Sequence, residues 1–111
     1  MNDLYTTQKL AVIAGDDQAF IKMMLETFVN SCKEGLTSMS NHMTTSDLVA
    51  VGKAGHKLKP SIDTVAPWLS KQVREVEAIN ENNNTAVVGE FTMNLNKVLE
   101  ALSADLAAGK I

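Results

Sequence analysis

The longest helical pattern in this chain runs from residue 16 to residue 43 and reads DDQAFIKMMLETFVNSCKEGLTSMSNHM. Its apolar residues recur every three or four positions, which is the period of one helix face. The members of this stripe are Ile21, Leu25, Phe28, Cys32, Leu36, Met39 and Met43. The helix is expected to start near residues 15–17, with Asp16 as its N-cap and Asp17 favourable at the positive end of the helix dipole. The stretch therefore predicts one long amphipathic helix.

Three further segments downstream repeat the helical period. The second begins near Ser46-Asp47, which is another capping pair. The third begins at Pro67, a residue that suits the first turn of a helix. The fourth begins near Thr85. Their predicted apolar stripes are Leu48, Val51, Gly55, Leu58, Ile62 and Val65 in the second, Leu69, Val73, Val76 and Ile79 in the third, and Val88, Phe91, Leu95, Leu99, Leu102 and Leu106 in the fourth.

The connections between these segments set the expected architecture. The polar run at residues 80–84 is expected to be a loop, and residues 4–13 predict a short extra helix at one end. Short connections between long amphipathic helices favour antiparallel neighbours, and no alternating run predicts a strand. The sequence therefore predicts a single all-α domain over residues 1–111, an up-down antiparallel four-helix bundle with a short extra N-terminal helix.

Composition and charge exclude several classes of function. A formal net charge of -3 and the lack of a basic run argue against a nucleic-acid binder. The one cysteine, Cys32, excludes an intramolecular disulfide and a cysteine-based zinc site. No apolar run reaches the roughly 18 residues that span a bilayer, and the N-terminus has no signal-peptide pattern. We therefore expect a cytoplasmic protein with no membrane insertion.

The segment AGHKLKPS at residues 54–61 bears most directly on function. His56 follows the stripe position Gly55 by one residue, and a rotation of about 100° takes it to the edge of the core. Its neighbours on the same face, three and four residues away, are Gly52, Lys53, Lys59 and Pro60. A neutral imidazole is nucleophilic, and ammonium groups beside it stabilise a transferring phosphoryl group. The segment therefore predicts a nucleophilic histidine that another protein can reach.

Two glycines lie within four residues of this histidine. Gly52 and Gly55 each cost roughly 1 kcal/mol relative to alanine in a helix interior. Their presence indicates a requirement beyond helix stability. We expect them to remove side chains that would block a docking partner, so that the docking surface forms around them.

Pro60 is expected to disturb the backbone beside the histidine. It lacks the N–H that would bond to the carbonyl of His56, so the helix should open or kink there, or end at Lys59 and restart. Ser61 is expected to return its hydroxyl to a nearby carbonyl. The sequence leaves these alternatives open.

The same segment resembles the phosphohistidine signature of histidine-containing phosphotransfer (HPt) domains, which usually read Ala-His-x-Leu-Lys-Gly-Ser. The likeness extends along the chain, since residues 15–17 followed by Phe20 and Phe28 look like the start of that family's first long helix. The resemblance implies a phosphorelay intermediate in which His56 is the phosphorylation site and Lys59 stabilises the phosphate. Three positions depart from the family pattern: Gly55, Pro60 and Ala66 stand where the family usually has Ala, Gly and Gly.

The resemblance also implies partners. His56 would take a phosphoryl group from an aspartyl phosphate on one receiver domain and pass it to the aspartate of another, so the partners are response-regulator receiver domains or a hybrid sensor histidine kinase. No cofactor is expected on this chain, because Mg²⁺ belongs to the receiver. The chain carries no P-loop or glycine-rich nucleotide motif, so we expect a phosphotransfer protein without autokinase activity.

Two other hypotheses stay open at this point. A non-phosphorylated helical adaptor or dimerisation module in signalling would leave His56 unreactive. The dimerisation and phosphoacceptor piece of a histidine kinase would be a two-helix hairpin that needs a partner chain, whereas four self-sufficient segments argue for a monomer. The sequence does not predict a metal site, because neither His42 nor His56 has a metal-ligating residue at i,i+4 spacing. His42 is expected at the surface or in packing.

Overall fold

A computed structural model describes residues 3–111, so Met1 and Asn2 of the predicted domain lie outside the described residues. The described chain contains helices and no strand, which confirms the all-α prediction. A 3₁₀ turn at Pro67–Leu69 accompanies the α-helices. These are α1 (Gln8–Ala14), α2 (Gln18–Thr44), α3 (Leu48–Val65), α4 (Ser70–Glu77), α5 (Ile79–Asn82) and α6 (Ala86–Ala107).

Helix α2 sets the long dimension of the molecule. Its 27 residues, at about 1.5 Å each, account for the longest extent of 42 Å. Helix α3 packs against both α2 and α4, and α6 packs against the same two helices. One apolar core takes residues from every helix and from the 3₁₀ turn, and α1 lies against α2 and α3.

The four predicted stripes form this core. Every member is buried except Met43, Leu48 and Leu106, which are half-buried. Cys32 lies within the core, and burial raises the pKa of its thiol to about 12. The thiol therefore stays protonated at neutral pH and packs as a small apolar group.

The helix starts follow the predicted capping pairs, with one correction. The cap of α2 is Asp17, whose carboxylate accepts the backbone N–H three residues on, at 3.2 Å. Asp16, predicted as the cap, lies in the preceding turn with a φ of 65°. Asp47 caps α3 as predicted, because its carboxylate accepts the N–H of Ala50 at 3.1 Å.

The third predicted helix is divided into three pieces. The 3₁₀ turn leads into α4. The helix is then interrupted at Ala78, and α5 continues to Asn82. The loop predicted at residues 80–84 is therefore wrong for residues 80–82. The asparagine side chain at position 82 explains why this polar run is ordered, because it donates to the carbonyl of Glu75 at 3.1 Å. Asn83 then ends α5 in the left-handed conformation that asparagine tolerates, with a φ of 55°.

Pro60 does not end α3. The helix is continuous from Leu48 to Val65 with Pro60 inside it, so the expectation that it ends at Lys59 is wrong. The hydroxyl-to-carbonyl bond predicted for Ser61 is made instead by Thr64, whose Oγ1 donates to the carbonyl of Pro60 at 2.9 Å. The helix thus continues through the position at which Pro60 supplies no N–H.

Gly52 and Gly55 allow α4 to pass directly over α3. A Cβ on Gly52 would lie 2.7 Å from the carbonyl oxygen of Glu77, and a Cβ on Gly55 would lie 3.0 Å from Cγ1 of Val76. Both glycines are buried. The prediction that they keep a surface open for a docking partner is therefore wrong, because α4 already occupies the space that they leave.

An ion pair joins α3 to α4 away from the glycines. Arg74 donates through both terminal nitrogens to the carboxylate of Asp63, each at 2.8 Å, and the Ser70 hydroxyl donates to the same group at 2.6 Å. The hydrogen bond from Arg74 makes the largest contribution and that from Ser70 the next. Together they hold the pKa of Asp63 well below its usual range. Lys9 of α1 donates to the Asp63 backbone carbonyl at 2.9 Å, so α1 is tied to the same point.

The segment before α1 is also held in place by hydrogen bonds. The Thr6 N–H donates to the carbonyl of Val65 at 2.8 Å, and the Trp68 indole N–H donates to the carbonyl of Leu4 at 2.7 Å. The Tyr5 hydroxyl donates to the carboxylate of Asp105 near the end of α6. Helix α1 itself begins at Gln8, later than the start at residue 4 that the sequence predicts.

The contact at Gly52 yields a stability prediction. We expect Gly52→Ala to lower the free energy of unfolding by about 1–3 kcal/mol, because the added Cβ would collide with backbone. Gly89→Ala in α6 is the matched control, because a Cβ there meets nothing within 4 Å. The control should gain about 0.5–1 kcal/mol. Urea unfolding measures both, and equal stabilisation of the two variants would contradict the close approach.

The ion pair of Asp63 yields a pH prediction. Because the folded-state pKa of Asp63 is depressed, its contribution to stability is present at neutral pH and is lost as the pH falls below about 4. Its side chain is 34% exposed, so solvent screening keeps that contribution small. We expect Asp63→Asn to be less stable than wild type at neutral pH and to lose less stability on acidification. Urea unfolding at a series of pH values checks this, and parallel curves for the two proteins would refute it.

Candidate functional site

His56 lies on the solvent-exposed side of α3. Its side chain is 67% exposed. The prediction that it lies outside the core is confirmed. Because its backbone belongs to the middle of a continuous, capped helix, its position is fixed while its ring is open to solvent.

Glu77, the last residue of α4, is the direct partner of His56. The Nδ1 atom of the imidazole forms a hydrogen bond with Oε2 of the carboxylate. Lys59 donates to both carboxylate oxygens, at 2.9 and 3.2 Å. One carboxylate therefore joins the imidazole to the ammonium group that lies about one turn further along α3.

The packing of α3 and α4 explains why Glu77 reaches this position. The backbone of residues 76–77 lies against Gly52 and Gly55, which belong to the turn of α3 before His56. A side chain at Gly52 would push the end of α4 outward, because it would meet a carbonyl oxygen rather than a flexible group. The close approach of the helices thus brings the carboxylate to the imidazole.

The charge of Glu77 assigns the proton on the histidine ring. Hydrogen bonds from Lys59 and then from His56 lower the pKa of the Glu77 carboxyl. An ionised carboxylate can only accept hydrogen bonds, so Nδ1 carries the proton in the neutral ring. The lone pair is then on Nε2, on the other side of the ring, which makes Nε2 the nucleophilic nitrogen.

Helix α3 concentrates positive charge around His56. It carries three lysines and one aspartate, a net charge of +2 in a chain of net charge -3. Lys59 is 28% exposed and lies on the α4 side. Lys53 and Lys57 border a groove of about 570 Å³ between α3 and α2, into which His42 and Ser61 also face. His42, expected at the surface or in packing, is half-buried at the edge of this groove.

A second, apolar groove begins close to the histidine. Pro60, about one turn after His56, lines it together with Thr64 of the same helix. The groove has a volume of about 370 Å³. Its apolar walls come from α1 and α2 and include Leu10, Ile13, Met23, Met24 and Phe28. Met23 is 54% exposed and Ile13 is 65% exposed, so this apolar surface is open to solvent.

Neither a metal-binding cluster nor a membrane-spanning helix is found in residues 3–111. Across residues 3–111, no three histidine, cysteine, aspartate or glutamate side chains come together as a metal ion would require. Over the same residues, no helix combines the length and the apolar character needed to cross a bilayer.

Glu77 is the site residue that sequence reasoning missed. It lies 21 residues from His56 in the sequence and in a different helix, so the local motif does not include it. The signal that was present is its place directly after the buried stripe position Val76. His56 directly follows the buried position Gly55 in the same way, which puts both side chains at the edge of the α3–α4 contact.

Comparisons with protein-family models, with curated proteins and with solved structures give no match for this chain. The features of the chain that bear on function are the exposed imidazole, the carboxylate and ammonium group beside it, and the two grooves that flank it.

Proposed function

We propose that this chain is a phosphorelay intermediate of the HPt type. In this proposal Nε2 of His56 accepts a phosphoryl group from a receiver-domain aspartyl phosphate and passes it to the aspartate of another receiver domain. The observation that carries the proposal is an exposed histidine whose Nδ1 is hydrogen-bonded to the Glu77 carboxylate. Lys59 donates a hydrogen bond to the same carboxylate.

The proposal includes the architecture of that family. Helices α2, α3 and α6, with α4 and α5 together, would be the four helices of an antiparallel bundle, and α1 the extra N-terminal helix. Opposite directions for α3 and α4 are supported by their contacts. Glu77 at the end of α4 lies over Gly52 early in α3, whereas Ser70 at the start of α4 bonds to Asp63 late in α3.

The transfer step can proceed with the groups present. The Nε2 lone pair attacks the phosphorus of the aspartyl phosphate, the N–P bond forms, and the receiver carboxylate leaves with the electrons of the broken O–P bond. The proton on Nδ1 stays in its hydrogen bond to Glu77, so no separate base has to deprotonate the ring. Any Mg²⁺ acts on the receiver's phosphate, and no cofactor on this chain is part of the proposal.

Lys59 is the residue that we propose stabilises the phosphoryl group. Its ammonium group lies about one turn from His56 on the same side of the helix. The hydrogen bonds to Glu77 hold the side chain near the ring, and its 28% exposure leaves it accessible. A positive charge held close to the ring favours the charge that spreads over the phosphoryl oxygens during transfer.

The receiver domain that we propose docks on the α1–α2 side of His56. A partner that reaches Nε2 must also cover the surface next to it. On the α4 side that surface is occupied by Glu77 and its helix, whereas on the other side the apolar groove begins at Pro60. Apolar side chains of the receiver would fill this groove, and its acidic phosphorylation site would face Lys53 and Lys57.

The remaining parts of the proposal concern setting and partners. We propose a monomer that acts in the cytoplasm without autokinase activity. Its partners would be response-regulator receiver domains, free or within a hybrid sensor histidine kinase. The chain would thus be a carrier of phosphoryl groups between proteins that bind it in turn.

The decisive test is phosphoryl transfer from a phosphorylated receiver domain. Wild type and His42→Gln should take up acid-labile, alkali-stable label, whereas His56→Gln should take up none, because only its nucleophile is removed. ATP alone should label none of them. Circular dichroism should show that all three proteins are folded. Label on His56→Gln would refute the site, and a folded wild type that no receiver labels would favour the adaptor hypothesis.

The docking surface can be tested with two methionines of nearly equal exposure. Met23 in the groove is 54% exposed, and Met93 on α6, which packs on α2 and α4, is 56% exposed. We expect Met23→Lys to slow transfer at low receiver concentration by about tenfold, which corresponds to about 1.4 kcal/mol of docking free energy. Met93→Lys should leave the rate unchanged. Equal slowing by both variants, or by neither, would refute this docking surface.

A further inference from the structure

We infer that Glu77 sets the pH range over which the phosphoryl group can leave His56, because it keeps a proton on Nδ1 of the phosphorylated ring. This inference rests on the proposed function, since it concerns the phosphorylated form of the same histidine. Glu77 touches the imidazole and not the transferred group, so it is a positioning residue for the second half of the relay.

The chemistry of departure depends on the proton at Nδ1. When Nδ1 is protonated, the receiver aspartate forms its O–P bond while the N–P bond breaks, the electron pair returns to Nε2, and the ring leaves as neutral imidazole. When Nδ1 has lost its proton, the same step must expel an imidazolate anion, which is a far poorer leaving group. No further reactant enters either step. The rate of transfer therefore follows the fraction of rings that keep the Nδ1 proton.

The geometry supplies the group that retains this proton. Oε2 of Glu77 accepts the Nδ1 hydrogen bond, and Lys59 bonds to both carboxylate oxygens, which fixes the carboxylate against rotation. The Glu77 side chain is 29% exposed, so water competes only partly for it. A negative charge in direct contact with a protonated ring stabilises the protonated form.

The other charged groups around the site act mostly in the opposite direction. Lys59 lies on the same carboxylate as the imidazole, and the lysines at positions 53 and 57 lie on the neighbouring turns of α3. On α4, the hydrogen bond to Asp63, and to a smaller extent the charge of Glu77, raises the pKa of Arg74. Across the groove on α2 lie Glu34 and His42, and Glu81 lies in the first turn of α5. Without the charge of Glu77, the lysines would favour loss of the Nδ1 proton.

The test is the pH dependence of transfer from the purified phosphoprotein to one receiver domain, from about pH 6 to pH 9. Glu77→Gln keeps the size of the side chain and an acceptor oxygen but removes the charge. We expect its transfer rate to decline at a pH about one unit lower than in wild type, so that it is about tenfold slower where wild type is still active. Titration of the receiver itself is common to every protein compared and cancels.

Two control variants separate charge at the ring from other effects. Glu75→Gln removes the same charge from the same helix, and its profile should follow that of wild type. Lys59→Met tests whether the effect acts through the lysine that Glu77 also holds. It should slow transfer at every pH without moving the decline to lower pH.

A measurement on the wild type alone keeps the inference testable if Glu77→Gln does not fold. Nitrogen-15 NMR of the phosphorylated wild type should show Nδ1 still protonated at about pH 8. In the unphosphorylated protein the same spectrum should show the proton on Nδ1 and a bare Nε2. Loss of the Nδ1 proton from the phosphorylated ring below about pH 8 would overturn the inference.

The outcomes for the inference and for the proposed function are distinct. If wild type accepts label on His56 and Glu77→Gln has an unchanged pH profile, the inference is wrong and the proposed function stands. If no receiver labels the folded wild type, the proposed function itself fails. A displaced profile in Glu77→Gln, together with an unchanged profile in Glu75→Gln, would establish the role of Glu77.

Discussion

The approach of α4 to α3 across Gly52 and Gly55 is the constraint on which the rest of the structure depends. With no side chain on either glycine, Val76 packs into the core and the carbonyl oxygen of Glu77 lies 2.7 Å from the position that a Cβ on Gly52 would take. Two glycines inside a helix weaken it by roughly 1 kcal/mol each. The long apolar stripes and the hydrogen bonds of Asp63 to α4 offset that loss. One packing contact thus closes the core and assembles the site.

The helices could be predicted because burial of one face leaves its period in the sequence. Nearly all the stripe residues are buried, and Asp47 caps α3 where a Ser-Asp pair indicated a helix start. The division of the third helix could not be predicted, since it breaks at Ala78, a residue that favours helix, without the proline or glycine that usually marks a break. Residues 80–82 were misread as loop because composition does not show that the side chain of Asn82 will bond to the carbonyl of Glu75.

In the site too, the local properties of one helix could be predicted from the sequence, whereas contacts between helices could not. The exposure of His56 followed from its place one residue beyond the stripe, which is a local property of the helix. The function of the glycines was misjudged because a sequence shows that a side chain is missing and not which other helix fills the space. Glu77 was missed for the same reason, since its partner lies 21 residues away and only the packing of two helices brings them together. The phosphotransfer role itself stays a proposal, which the motif motivates and the geometry supports.

Trp68 is the only tryptophan of the chain, and its indole N–H is bonded to the carbonyl of Leu4, 64 residues away in sequence. Trp68 is 45% exposed, so the environment of its ring changes when that bond opens and water takes its place. The intrinsic fluorescence of the unlabelled protein is therefore an optical reporter of whether the segment before α1 is seated on the helices. Measured together with circular dichroism, which follows the helices, this signal distinguishes detachment of the N-terminal segment from loss of the helices.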